Sequence, residues 1–251
     1  MEYDIVYPLK EAEPNWDLIY SLRSLEKYGG DYGEVFIAGY MPSYLKNVHH
    51  IPVNQNADKW RNSRMNRITA CEWPEVSDNF ILFNDDFILT APVEDWDELT
   101  NRYIGTLEEH GKTLADEGKL SSRWVNGFAF NMELLQSMGV DEPLDYEFHA
   151  PMLFNKQKTL ELFERDEVKP YLDQSNPLIF QRSLYGNLYP RETKGRKIRD
   201  IKLRSDSFDI DDLHENGCFS VPDGMIGRPS AAPRLNFFLQ LEFPHKSRYE
   251  V

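Results

Sequence analysis

The 251 residues include 42 Asp and Glu against 28 Lys and Arg, a formal net charge of -14, with 41% hydrophobic and 13% aromatic residues. That apolar mass supports a sizeable core and excludes a disordered chain, while the charge excludes a protein whose affinity comes from wrapping a nucleic-acid backbone over its whole surface; a local basic patch stays open. Cys71 and Cys218 stand far apart without Cys or His neighbours at ligand spacing, which excludes a disulfide framework and a zinc knuckle, and neither a secretion signal nor a membrane-length apolar run is read, so a cytoplasmic protein with no membrane partner is expected.

Residues 3–7 (YDIVY) read as a strand, and Leu18, Ile19, Leu22 and Leu25 then recur at helical spacing between Pro14-Asn15 and Gly29-Gly30. Residues 34–38 (EVFIA) and 48–53 (VHHIPV) read as strands, and 57–72 as a helix carrying Trp60, Ile68 and Cys71. Residues 79–83 (NFILF) are nearly continuously apolar, as a central strand covered on both faces is, and stop at Asn84-Asp85-Asp86, after which FILTAPV is read as a further short strand. Residues 95–122 are polar and glycine-punctuated, the pattern of an exposed insertion or lid. Beyond them the sequence predicts a strand over 124–130 (WVNGFAF), a helix over 132–138, a strand over 147–154 (EFHAPMLF) and helices over 156–164 and 176–188. The order of elements defines an α/β protein with a mostly parallel central sheet.

Two adjacent carboxylates at the carboxyl end of a buried strand resist desolvation unless neutralised, and that end is where α/β sheets take ligands. A divalent cation bridging a diphosphate resolves the charge; a plain turn with one carboxylate capping backbone amides is the alternative. On the preceding helix Lys59, Asn62 and Asn66 share a face by their spacing and suit phosphate or sugar, or else form a solvated polar face. Asp145, Glu147 and Asp223 are candidate general bases for an acceptor hydroxyl, with ordinary surface carboxylates as the alternative. Lys194, Arg196, Lys197 and Arg199 open a basic run that suits the phosphates of a nucleic-acid acceptor, or is simply solvated.

The succession DIVY, YSLRSLEKY, NFILFNDDFIL, FHAP and FPHKSRYE resembles, over about five blocks spanning nearly the whole chain, the Stealth-type sugar-phosphate transferases and the related small glycosyltransferases of phages. The resemblance implies a GT-A-like nucleotide-sugar-binding fold with a C-terminal elaboration: one catalytic domain over 1–251, with a nucleotide-sugar half over 1–95, the insertion over 96–122, and an acceptor-side half and tail over 123–251. It implies Asp4 near the base of the donor, Arg23 on the first helix, and Asp85-Asp86 as the acidic pair of an Asp-x-Asp motif, with Asn84 in place of its first aspartate. Asp86 is then the metal ligand, Asp85 orients the ribose or sugar, and His149 in FHAP is a second ligand for Mn2+ or Mg2+ or, alternatively, a packed histidine. The implied activity is transfer of a sugar from a nucleotide-diphosphate donor, a UDP-sugar, to a hydroxyl: a hydroxymethylated pyrimidine in DNA, a virion protein or a glycan. A sugar-1-phosphate transfer and a non-enzymatic nucleotide- or carbohydrate-binding module are the alternatives.

Overall fold

The computed structural model describes every residue except Met1, Asn56, residues 117–122, Ser175, Lys194 and Ile201. Along the chain the elements are β1 (Asp4–Leu9), α1 (Trp16–Tyr28), β2 (Val35–Gly39), β3 (His49–Ile51), α2 (Lys59–Glu72), β4 (Asn79–Leu82), β5 (Phe87–Leu89), α3 (Trp96–Thr100), β6 (Arg102–Tyr103), α4 (Leu107–Asp116), α5 (Arg123–Ser137), β7 (Met152–Asn155), α6 (Lys156–Glu164), α7 (Gln181–Leu188), β8 (Arg196–Lys197), α8 (Ile210–Asn216), β9 (Cys218–Ser220) and α9 (Pro233–Glu242). They fall into two compact units, the first made of Met1–Thr100, His149–Phe154 and Ile201–Val251, the second of Asn101–Phe148 and Asn155–Asp200. Among the described residues no helix is long and apolar enough to cross a membrane.

The first unit is built on a five-stranded sheet in the order β3-β2-β1-β4-β7, with β1 parallel to both β2 and β4 and β2 parallel to β3. Strand order reverses between β1 and β4, which makes their carboxyl ends the switch point of the sheet. Pro8 opens that point. In β1 the Ile5 amide bonds toward β2 and the Val6 carbonyl toward β4, so position 8 faces the β4 side, where pairing has already ended at Val6 opposite Leu82. A residue without an N–H is tolerated there and would be costly one pair earlier.

The first helix starts where Asn15 accepts from the Leu18 amide at 3.1 Å and closes on Gly29, whose amide bonds to the Leu25 carbonyl; Leu18, Leu22 and Leu25 are fully buried. Its polar residues matter as much. Ser21 donates to the Phe87 carbonyl at 2.6 Å and Ser24 accepts from the Leu89 amide at 2.9 Å, so α1 satisfies one edge of β5 while β9 pairs antiparallel along the other. The FILTAPV strand therefore exists but lies outside the main sheet, in a ribbon that begins one residue after Asp86.

The second unit is mainly helical, and it corrects the strand expected over 124–130. That stretch lies inside α5, where Val125, Phe128 and Leu135 turn to one buried face and Phe128 and Trp124 pack on Phe180. Aromatic residues alternating with small ones over a short window imitate a strand; the spacing carried on to Leu134-Leu135 is helical. Gly127 is required by packing, since a Cβ there would stand 2.7 Å from the Phe180 ring. The strand expected over 147–154 shrinks to Met152–Asn155 because Glu147 is used to start α7 and Pro151 lacks an amide at the entry. The polar stretch 96–122 is not one exposed lid either: Trp96 and Leu99 are buried in the core of the first unit, and α4 belongs to the second; residues 117–122 lie outside the described residues.

Candidate donor site

The acidic pair sits at the switch point of the sheet. Asn84 and Phe87 close a turn, the Phe87 amide donating to the Asn84 carbonyl at 3.1 Å, so the turn reading of this motif is correct as far as the backbone goes. The two carboxylates are not used up by it. Asp85 accepts from the Asn15 side-chain amide at 2.7 Å, and that same Asn15 caps α1. Tyr44 donates to the Asn15 carbonyl at 3.1 Å, and the Tyr44 carbonyl accepts from the Val251 amide at 2.9 Å, so the carboxyl-terminal tail braces the residue that holds Asp85. Burial raises the Asp85 carboxyl, against the Asn15 hydrogen bond, which lowers it.

Asp86 is raised to about 6, first by burial and then by Asp85, with Lys202 and His149 acting in the opposite sense. Lys202 places its Nζ 3.9 Å from Asp86 Oδ2. Asp17, in the first turn of α1, is pushed up to about 7 by burial and by Asp85, Asp86 and Asp223, and its Oδ1 is buried without a hydrogen-bond partner among the described residues. Asp223, in the loop after β9, is exposed and pairs with Lys10 at 2.8 Å, which holds its carboxyl below the usual range. The charges of Asp85, Asp86 and Asp223 thus all act on Asp17. Trp16, 42% exposed, stands beside Asn15 with the left-handed Gly227 pressed against its ring; a Cβ at Gly227 would lie 2.2 Å from Trp16 Cδ1.

Among the described residues no three His, Cys, Asp or Glu side chains are gathered closely enough to enclose a metal ion. The donor set nevertheless fits one of particular chemistry. Close carboxylates with raised pKa values and an orphaned oxygen on Asp17 are short of positive charge, and a hard divalent cation that keeps waters and phosphate oxygens needs only one or two protein carboxylates.

Several expected site residues have other work. Asp4 lies at the amino end of β1, the opposite end from Asp85, and its carboxylate is filled by the Glu34 amide at 2.8 Å and by the amide and hydroxyl of Ser77 at 2.7 and 2.8 Å. Arg23 forms a two-pronged ion pair with Glu250, both contacts 2.7 Å, and donates to the Phe243 carbonyl. Asn62 folds back onto both backbone groups of Ala57, at 3.2 and 2.8 Å, while Lys59 lies over the Trp60 ring. Asn66 accepts from Gln55, which also donates to the Leu9 carbonyl, so it supports the exit of β1. In the second unit Asp145 is wholly buried, accepting from His110 Nδ1 at 2.6 Å and the Glu147 amide at 2.8 Å, and Glu147 caps α7 through the Arg182 and Ser183 amides. These contacts leave neither as a free base. Arg196, Lys197 and Arg199 are exposed, Lys197 pairing with Glu109 at 3.2 Å; Lys194 lies outside the described residues.

Sequence reasoning missed Lys10, Asn15, Trp16, Asp17 and Lys202. A signal existed for the first four, since the rule that placed Asp85 at a strand's carboxyl end applies equally to the residues that follow β1. Lys202 carried none beyond membership of a basic run.

The fold of the chain matches solved structures. The galactosyltransferase LgtC, in complex with donor and acceptor sugar analogues, superposes with a TM-score of 0.54 at 11% identity, covering 98% of this chain and 98% of its own. An active-site mutant of LgtC gives 0.51 at 10% identity over the same shares. The glycosyltransferase GlyE from Streptococcus pneumoniae aligns with 80% of this chain and 46% of its own at a TM-score of 0.36 and 12% identity. No protein-family model and no curated protein sequence matches the chain. The fold is therefore the GT-A-type α/β fold of LgtC, with a mostly parallel central sheet.

Proposed function

We propose that the protein is a metal-dependent glycosyltransferase that moves a sugar from a nucleotide-diphosphate donor, a UDP-sugar, to a hydroxyl acceptor. The observation that carries this reading is the placement of Asp85 and Asp86 at the switch point of a GT-A-type sheet, with Asn15 on Asp85 and Lys202 beside Asp86. Asp86, with His149 near enough to lower its carboxyl, would hold Mn2+ or Mg2+, and the cation would neutralise the departing diphosphate. Asp85, fixed by Asn15, orients the ribose or sugar. The exposed Trp16 ring offers the base a stacking surface at the exit of β1. The acceptor-side candidates are the exposed Arg196, Lys197 and Arg199, whose charge favours a phosphate-bearing acceptor such as hydroxymethylated DNA over a neutral glycan.

The test is a screen of radiolabelled nucleotide sugars against hydroxymethylated DNA, virion protein and glycans, with and without Mn2+ or Mg2+, followed by identification of the released nucleotide. The expected result is cation-dependent labelling with release of a nucleoside diphosphate. Release of a monophosphate would replace this reading with sugar-1-phosphate transfer, and binding without turnover or donor hydrolysis would reduce the protein to a binding module.

A further inference from the structure

Lys202 reaches the acid turn through a three-strand ladder. Phe87, the residue after Asp86, pairs with Ser220 of β9. Ser220 forms a parallel bridge to Lys202, and its carbonyl accepts from the Leu203 amide at 2.9 Å. The backbone of Lys202 is thus registered against the turn itself, and only 20% of its side chain is exposed, beside an Asp86 side chain 14% exposed. A surface lysine ordinarily extends its ammonium into water. This one is kept beside Asp86, and its charge also lowers Asp223. At 3.9 Å from Asp86 Oδ2 it is an ion-pair partner beyond hydrogen-bond length, held by charge rather than by a hydrogen bond.

We propose that Lys202 is a resident countercharge for Asp86 that changes partners on loading: it faces the carboxylate in the free protein and turns to the donor diphosphate once a divalent cation takes Asp86. The inference rests on the donor-site reading above. An ammonium and a divalent cation repel each other at one carboxylate, and the diphosphate brought by the donor supplies the lysine with a new anionic partner. Four rotatable bonds behind the ammonium allow the exchange without movement of the ladder.

Such an exchange predicts effects of opposite sign, which a merely structural lysine does not. Mn2+ binding to the free full-length protein is measured by electron paramagnetic resonance. Nucleoside diphosphate binding is measured by calorimetry at saturating Mn2+, using the tightest of UDP, GDP, CDP, ADP and dTDP. K202M is expected to bind Mn2+ about tenfold more tightly and the diphosphate about tenfold more weakly than the wild type. K202R, which keeps the charge, should stay close to the wild type in both, and K202Q replaces K202M if the latter lacks a cooperative thermal transition. Any other pattern in the neutral variant, including both affinities falling together or only one changing, overturns the exchange. A wild-type protein that takes up no Mn2+, or Mn2+ but no diphosphate, instead overturns the donor-site reading on which the exchange depends.

Discussion

Replacing Asp17 with Asn should stabilise the free protein, and by an amount that depends on pH. Asp17 is raised from its ordinary 3.8 to about 7 by burial, then by Asp85, Asp86 and Asp223, with Lys10 acting weakly against them. A raised carboxyl means that the native state holds the proton more tightly than the unfolded chain. Its favourable contribution is therefore complete below about pH 4, is lost as pH rises through about 7, and leaves a constant penalty above that. The full difference corresponds to about 4 kcal/mol, and sharing of the titration with Asp85 and Asp86 brings the expected gain for D17N at pH 8 to about 2–4 kcal/mol. Urea unfolding of both proteins from pH 4 to pH 8, without divalent ions, measures the gap directly. It should close toward pH 4 and shrink when Mn2+ is added at pH 8, because the cation relieves the same repulsion. A D17N protein less stable than the wild type at pH 8, or a gap that does not vary with pH, refutes the account of the acid cluster.

Two further outcomes follow from the site and its frame. H149A should weaken the divalent-ion dependence of donor binding by about tenfold if the imidazole is a ligand, read from Mn2+ titrations; an unchanged curve returns His149 to a packed residue. E250A should destabilise the protein by about 3 kcal/mol, since it strands the largely buried Arg23 guanidinium, while leaving donor affinity per folded molecule unchanged; a large loss of affinity would put Arg23 back in the donor site.

The helix-sheet order through Leu89 was legible because its signals are local. Leu18, Leu22 and Leu25 repeat at helical spacing, Asn15 and Gly29 mark the ends of α1, and β4 is apolar after Asn79. The site was legible in part for the same reason: two acids after a central strand announce themselves. What could not be read is the set of partners that decides which polar residues are free. Asp4 and Arg23 look available in sequence and are occupied by Ser77 and Glu250, and Asp145 and Glu147 are occupied by His110 and the start of α7. In each case the partner is a side chain or backbone group 35 or more residues away in the chain, brought there by tertiary structure. The strand misread at 124–130 failed differently, because seven residues are too few to separate a period of two from one of 3.6 when aromatic and small residues alternate.

The ribbon of β5 and β9 also bears on synthesis. Phe87 and Ile88 have no strand partner until Ser220 and Phe219 have been made, and Lys202 joins later than everything in the second unit. On the ribosome the first hundred residues would emerge with four of the five sheet strands in hand, but with one edge of β5 open and Asp86 without its Lys202 partner. The second unit, contiguous apart from the short β7 excursion, can close earlier. A nascent chain of this protein would therefore pass through a stage in which the surroundings of the acid turn are among the last to be completed, dependent on contacts of long sequence separation.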